Sequence, residues 1–251
     1  MSERRLAVVT GGGTGIGRAV VERLAAIGMR VLAVGRDERA LSAVAEQAPG
    51  RGWQIATATC DVTDEAAVGA LFGDTGPVDV LVANAGMARS APLQRTSLED
   101  WNRHLAVNAT GVFLCLRAVV PGMRTHNRGR VVVIASIAGL RGGRYISAYT
   151  ASKHAAVGLV RASAAEVAGS NVTINAVCPA YVRTAMTERS VERIMATTGR
   201  DREQALASLT GSSGRLIEPS QVAGAVAYLC GEEAAAINGQ TLVIDGGGPQ
   251  A

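Results

Sequence analysis

Short apolar runs alternate with helical-period segments along almost the whole chain. Leu6-Ala-Val-Val9 reads as a buried strand, followed by a glycine turn and a helix from Gly15 to about Gly28. Arg30–Val34 is a second strand with a helix from Asp37, and Gln54–Ala58 a third with a helix from Thr63 or Asp64. Val78–Ala83 is the fourth, before a long helix beginning near Ser97. Val131–Ala135 is the fifth, before a helix that carries Tyr149. Val172–Val177 and Thr241–Asp245 complete the set, the last after a helix opened by Pro219. Strands that are apolar throughout are covered on both faces, and strands separated by helices form parallel sheets. The pattern predicts an α/β fold: one doubly wound domain over residues 1–251, a seven-stranded parallel sheet with helices on both faces. No composition break, internal repeat or low-complexity segment divides it.

Composition then narrows the partners. With 48% hydrophobic and 18% charged residues the chain reads as a soluble globular protein. Aromatic residues are only 3%, too few for single-strand stacking platforms. The net charge of +4 comes from scattered arginines, which favours anionic ligands but is no nucleic-acid footprint. Cys60, Cys115, Cys178 and Cys230 lie too far apart for a metal motif, and they read as small buried hydrophobes in a reducing compartment. Met-Ser-Glu-Arg-Arg runs directly into the first strand, so neither a signal nor a transit peptide fits. No uninterrupted apolar run reaches membrane-spanning length. A cytoplasmic protein with no membrane and no nucleic-acid partner is expected.

Doubly wound sheets bind ligands at the carboxyl ends of their strands. The first loop there is Thr10-Gly-Gly-Gly-Thr-Gly-Ile-Gly17. Its glycines at 11, 15 and 17 depart from the spacing of the six-residue G-x-G-x-x-G motif. They still suit close approach to a pyrophosphate, at a helix N-terminus with free N–H groups. The second strand ends in Gly35-Arg36-Asp37. An acid there would bind the ribose 2′-hydroxyl of NAD, and an arginine the 2′-phosphate of NADP. Arg36 favours NADP(H) over NAD(H), with Asp37 read as the cap of the next helix. Tyr149 and Lys153 lie four residues apart in the helix after the fifth strand, on one face. A nearby ammonium favours the phenolate and fits the pair for acid–base work. The same spacing also fits an exposed helix face with a tyrosine stem against the core; the rest of the chain decides between them.

Together these motifs resemble the short-chain dehydrogenase/reductase family, in its compact single-domain Rossmann form, over nearly the whole sequence. Closest in character are its 3-oxoacyl-thioester reductases and 3-hydroxyacyl-CoA dehydrogenases. The resemblance implies a cofactor loop built on Gly11, Thr14, Gly15, Ile16 and Gly17, and an adenine pair Asp61 and Val62. It further implies a motif Asn84-Ala85-Gly86 after the fourth strand, and a segment beside the nicotinamide carrying Pro179, Val182 and Thr184. The implied catalytic tetrad is Asn108, Ser136, Tyr149 and Lys153, with Tyr149 exchanging the proton and Ser136 donating to the substrate oxygen. Lys153 would lower the tyrosine pKa and bind the nicotinamide ribose, and Asn108 would hold a water linking Lys153 to solvent. Two departures stand out: Ala180 replaces the usual glycine after Pro179, and Thr14 stands where many NADP-using relatives carry a basic residue. No metal site is implied.

Substrate choice falls to a lid over about 185–213, where Arg189, Arg193, Arg200 and Arg202 are interleaved with Met186, Ile194 and Met195. An apolar inner face under a basic rim suits an acyl chain with a coenzyme A handle; an amphipathic helix pair with solvated arginines fits as well. Arg141 and Arg144 flank the expected cleft mouth and could clamp a carboxylate or phosphate. Where relatives dock an acyl carrier protein, arginines are often found; the matching places here hold Asn127 and Ser170, with Arg128 adjacent. The expectation is hydride transfer between NADP(H) and a 3-oxoacyl or 3-hydroxyacyl thioester, with CoA favoured over a carrier protein. The alternative is a small or cyclic secondary alcohol such as a hydroxy acid, a sugar or a polyketide intermediate. A non-catalytic nucleotide sensor is the third reading. The helices Ser97–His126 and Tyr149–Ala168 match those that pair subunits in relatives, and the Gly246-Gly-Gly-Pro-Gln tail could join them, which implies a homotetramer.

Overall fold

The computed structural model describes residues 4–210 and 215–247. The strands are β1 Leu6–Thr10, β2 Arg30–Gly35, β3 Gln54–Thr59, β4 Val80–Ala83, β5 Gly129–Ile134, β6 Val172–Pro179 and β7 Thr241–Ile244. They form one sheet in the order β3-β2-β1-β4-β5-β6-β7, with every neighbouring pair parallel. The helices are α1 Gly15–Ala26, α2 Glu38–Ala45, α3 Glu65–Thr75, α4 Leu98–Leu105, α5 Gly111–Thr125, α6 Ser147–Glu166, α7 Ala185–Thr198, α8 Arg202–Thr210 and α9 Pro219–Leu229. The chain winds outward from β1 to β3, then returns to β4 and winds the other way. That reversal opens a crevice at the carboxyl ends of β1 and β4.

Two cores explain why the strands are apolar throughout. Val8, Leu81, Val131 and Ile174 pack with α3, α5 and α6 through Val68, Leu116 and Val160. Ala7, Val9, Val80 and Val132 face the other way, against Val20 and Leu24 of α1, Leu41 of α2 and Val226 of α9. Each fully buried aliphatic side chain contributes about 1.5–3 kcal/mol. Asp37 caps its helix as expected, and Asp64 and Ser97 do the same: the three side chains accept the N–H groups of Ala40, Ala67 and Asp100. Gln221 Oε1 accepts the Glu218 N–H at 2.9 Å where Pro219 opens α9.

Several boundaries differ from the sequence reading. β4 begins two residues late because Asp79 turns its carboxylate to the Leu6 N–H at 2.8 Å and pairs with Arg128. β6 runs on to Pro179 because β7 continues the pairing to Ile244. The long fourth-strand helix is α4 and α5 joined by one π-helical turn, Ala106–Thr110. Leu98–Thr125 is long and apolar enough by length and composition to cross a membrane, although Asn108, Arg117 and Arg124 interrupt its apolar run. Its inner face, Val112, Cys115, Leu116, Val119 and Met123, lies in the core. The segment expected as the lid folds into the helix pair α7 and α8. Its expected end at 211–213 lies outside the described residues, as do 248–250 of the glycine tail. All four cysteines are buried and free.

Candidate active site

At the reversal point the loops after β1 and β4 are tied together. Thr10 Oγ1 accepts the N–H groups of Asn84 and Ala85, both at 3.0 Å. Asn84 Nδ2 donates back to the carbonyls of Thr10 (2.9 Å) and Gly11 (3.2 Å). Gly11 (φ 65°) and Gly15 (φ 53°) take left-handed backbone that a side chain would strain. A Cβ on Gly17 would lie 2.5 Å from Asn84 Nδ2 and 2.7 Å from the Gly11 carbonyl carbon, so only glycine lets α1 start here. Thr14 stands at the N-cap of α1 without a side-chain cap bond, and the first turn holds no acidic residue. Ile16 packs its side chain against the core below. The loop therefore offers backbone donors and a positive dipole end to an anion, which fits the pyrophosphate of a dinucleotide.

At the end of β2, Arg36 and Asp37 take different partners. Asp37 Oδ1 accepts the Ala40 N–H at 3.1 Å and is spent on capping α2. Arg36 is exposed, with Nη1 3.5 Å from Asp61 Oδ2. Asp61 Oδ1 takes the N–H (3.0 Å) and hydroxyl (2.8 Å) of Thr63. The Thr63 N–H first, then its hydroxyl and Arg36, hold the Asp61 carboxyl below its ordinary pKa. Val62 is buried against Gly111, whose absent side chain lets the π-turn helix press close.

Ser136, Tyr149, Lys153 and Asn108 converge below the crevice. Ser136 follows β5, and its Oγ accepts the Ala138 N–H at 3.1 Å and reaches the Pro179 carbonyl at 3.5 Å. The turn after it lies flat on α6 because Gly139 has no side chain: a Cβ there would be 2.7 Å from the Lys153 carbonyl oxygen. Tyr149 and Lys153 sit one turn apart on α6, with Nζ 5.9 Å from the phenol ring centroid. Nζ is buried and donates to the Ile134 carbonyl at 2.8 Å. Asn108 lies in the π turn, fully buried. Its Oδ1 accepts the Met87 N–H, and its Nδ2 donates to the Met87 carbonyl and to Ser152 Oγ, all at 2.9 Å. Ser152 Oγ in turn donates to the Tyr149 carbonyl at 2.8 Å. A Cβ on Gly86 would lie 3.3 Å from Asn108 Oδ1 and 3.6 Å from Lys153 Nζ, so glycine keeps a gap open between these groups.

Burial governs the protonation of this site. It pushes the Tyr149 phenol above its ordinary pKa, offset in part by the Ser136 hydrogen bond. It brings the Lys153 ammonium down to about 8. For both groups the largest influence is desolvation on α6. In this state the phenol holds its proton through neutral pH.

The segment after β6 closes the crevice. Val182 is buried and bridges to Ile217, and Thr184 caps α7 while its methyl lies against Gly15. Ala180 donates its N–H to the Ile244 carbonyl at 2.8 Å. Of the lid side chains, Met186 is half-buried and Arg189 exposed. Arg193 reaches the Ser90 carbonyl (3.0 Å), Arg200 reaches Ser208 Oγ (2.6 Å), and Arg202 pairs with Glu188 (2.8 Å). Three of the four lid arginines thus bond neighbouring groups, while all four stay exposed. Arg141 and Arg144 are exposed near the mouth, Arg144 5.6 Å from the Tyr145 ring centroid. Sequence reasoning missed Ser152, His104 and Tyr181. Burial pushes the Tyr181 phenol above its ordinary pKa, and the Arg141 charge partly offsets this. Ser152 had one signal, a small polar residue three positions after the tyrosine on the same helix.

The family described as short chain dehydrogenase matches residues 5–194. The chain is 37% identical to an acetoacetyl-CoA reductase of Rhizobium meliloti, over 97% of this chain and 98% of the relative. It is 35% identical to the 3-oxoacyl-acyl-carrier-protein reductase FabG of Escherichia coli, over 98% and 97%. A crystal structure of an actinorhodin polyketide ketoreductase variant with NADPH superposes with a TM-score of 0.90 at 36% identity, over 97% of both chains. With the whole length covered and its motifs in place, the chain belongs to the short-chain dehydrogenase/reductase family and is an NAD(P)-dependent oxidoreductase related to the 3-oxoacyl reductases.

Proposed function

We propose that the protein is an NADP(H)-dependent reductase of 3-oxoacyl thioesters, with a coenzyme A ester favoured over a carrier-bound one. The observation that carries the cofactor choice is the β2 end, where Asp37 is spent on a helix cap and Arg36 is left to meet a 2′-phosphate. Gly11, Thr14, Gly15, Ile16 and Gly17 would cradle the pyrophosphate, and Asp61 and Val62 the adenine. Asn84, Ala85, Gly86, Pro179, Val182 and Thr184 would line the nicotinamide side. A bound nicotinamide supplies hydride. Tyr149 donates its proton to the substrate carbonyl oxygen, and Ser136 donates a hydrogen bond to the same oxygen as negative charge develops. Lys153 holds its positive charge beside the phenol and would bind the nicotinamide ribose. The gap at Gly86, between Asn108 Oδ1 and Lys153 Nζ, suits the water that would resupply the proton.

For the substrate, relatives named for acetoacetyl-CoA and for acyl-carrier thioesters support a 3-oxoacyl group. Arg128 is paired with Asp79, Asn127 Oδ1 accepts the Asn171 N–H and Ser170 Oγ bonds the Val167 carbonyl. The places where relatives dock a carrier protein thus offer no unengaged cation, which favours coenzyme A. Arg141, Arg144 and Arg189 remain the candidates for its phosphates, and Met186 for the acyl chain. The second reading, a cyclic polyketide intermediate, draws on the ketoreductase likeness and on the engagement of Arg193 and Arg202 with Ser90 and Glu188. The outward face of α4–α5 and α6, which carries Leu98 and Phe113 exposed, is proposed to pair copies into a homotetramer. Four buried thiols fit the cytoplasm. Initial rates with acetoacetyl-CoA, NADPH and NADH test the reading. Turnover with NADPH well above NADH is expected; turnover of cyclic ketones alone would select the second reading, and NADH preference would reject the role of Arg36.

A further inference from the structure

One buried titratable side chain beside the reacting phenol has no part in the chemistry above. His104, on the last turn of α4, is 1% exposed. Its ring meets the Tyr149 ring edge-on, with centroids 6.4 Å apart and planes at 75°. Nε2 accepts the Arg89 N–H at 3.1 Å, and Nδ1 lies 2.6 Å from the Asp100 carbonyl. The Nδ1–H tautomer satisfies both bonds. Arg89 also returns to α4 through its guanidinium, 2.9 Å from Asp100 Oδ1.

Arg89 belongs to the segment that follows β4 and forms one wall of the crevice. That segment is held at four points. Asn108 takes both main-chain groups of Met87, His104 takes Arg89, Arg193 of the lid takes the Ser90 carbonyl at 3.0 Å, and Ala91 donates to the Tyr145 carbonyl at 2.8 Å. His104 is the one of these that also touches the catalytic ring. An aromatic edge-to-face contact restrains ring orientation, and a buried N–H without its acceptor would cost about 1–3 kcal/mol. The same imidazole therefore fixes the wall and the phenol relative to each other.

We propose that His104 is a positioning residue, which sets the Tyr149 phenol against the 86–92 wall so that proton donor and substrate carbonyl meet in register. The inference rests on Tyr149 as the proton donor. The effect falls on kcat through geometry and not on the loop after β1 that would cradle the pyrophosphate.

The test uses the full chain, NADPH and acetoacetyl-CoA as probe, with H104L, H104Q and Y149F measured together. H104L removes the acceptor and the ring edge; H104Q keeps an acceptor for the Arg89 N–H. The expected result is a kcat in H104L lower by about tenfold, the scale of a slight misplacement of a reacting group, at unchanged NADPH affinity by fluorescence titration. H104Q recovers most of the loss. Wild-type kcat in H104L beside an inactive Y149F would overturn the inference alone. Equal loss in H104L and H104Q, or loss of NADPH affinity together with kcat, would also overturn it, since a merely structural role behaves that way. Turnover in Y149F would overturn the reading beneath it as well.

Discussion

Gly17 offers the sharpest perturbation of the cofactor cradle. A Cβ there would stand 2.5 Å from Asn84 Nδ2 and 2.7 Å from the Gly11 carbonyl carbon, closer still to its oxygen. Non-bonded heavy atoms rest at about 3.5–4.0 Å, so in G17A either the α1 start or the Gly11 turn must retreat by about 1 Å. Overpacking of this kind costs about 1–3 kcal/mol. Loss of one of the two Asn84 side-chain hydrogen bonds adds about 1 kcal/mol. The expected destabilisation is about 2–4 kcal/mol by urea denaturation. Because the same shift displaces the α1 N-terminus, NADPH affinity should fall by about 10²-fold, the scale of a 1 Å error in a prepared site. G69A is the control. Gly69 lies in α3 with nothing within 4 Å of its missing Cβ, so alanine should stabilise the protein by about 0.5–1 kcal/mol and leave NADPH binding alone. A G17A protein with wild-type urea midpoint and NADPH affinity would refute the reasoning.

Three further outcomes follow from the same geometry. Ketone reduction needs the protonated phenol and the ammonium, so its rate should hold through neutral pH and decline above about 8, where Lys153 loses its proton. Alcohol oxidation, which needs the phenolate, should rise over that range; parallel pH–rate profiles in the two directions would contradict this. Arg36→Ala should raise the KM for NADPH about tenfold and leave that for NADH unchanged, because its guanidinium is 65% exposed and screening limits the phosphate contact to about 1–1.5 kcal/mol. Equal effects on both cofactors in steady-state kinetics would remove Arg36 from the 2′-phosphate site. Gly86→Ala should place a methyl in the gap between Asn108 Oδ1 and Lys153 Nζ and lower kcat while the melting temperature stays near wild type; an unaltered kcat would show that nothing occupies that gap during turnover.

Much of this site is legible in the sequence because its parts are local. The glycine loop, the caps at Asp37, Asp64 and Ser97, and the Tyr149–Lys153 pair each declare themselves within a few residues. What stayed hidden depends on distant partners. The π turn around Asn108 is fixed by Met87 and Ser152, and His104 finds its role only against Arg89 and Tyr149. The lid arginines read equally as a basic rim or as solvated positions of a helix pair, and their contacts with Ser90 and Glu188 show only in the fold. The protonation of Tyr149 and Lys153 is hidden for the same reason: spacing shows that the two are neighbours, while burial is a property of the packed fold.

The central claim is that Tyr149 passes the proton in a reaction between NADPH and a 3-oxoacyl thioester. The most direct measurement is NADPH oxidation followed by absorbance, with acetoacetyl-CoA offered to the wild type and to Y149F at matched, independently titrated NADPH occupancy. The account predicts steady oxidation by the wild type, and in Y149F unchanged NADPH binding with turnover lower by at least about 10²-fold. Turnover in Y149F within a few-fold of the wild type would contradict it.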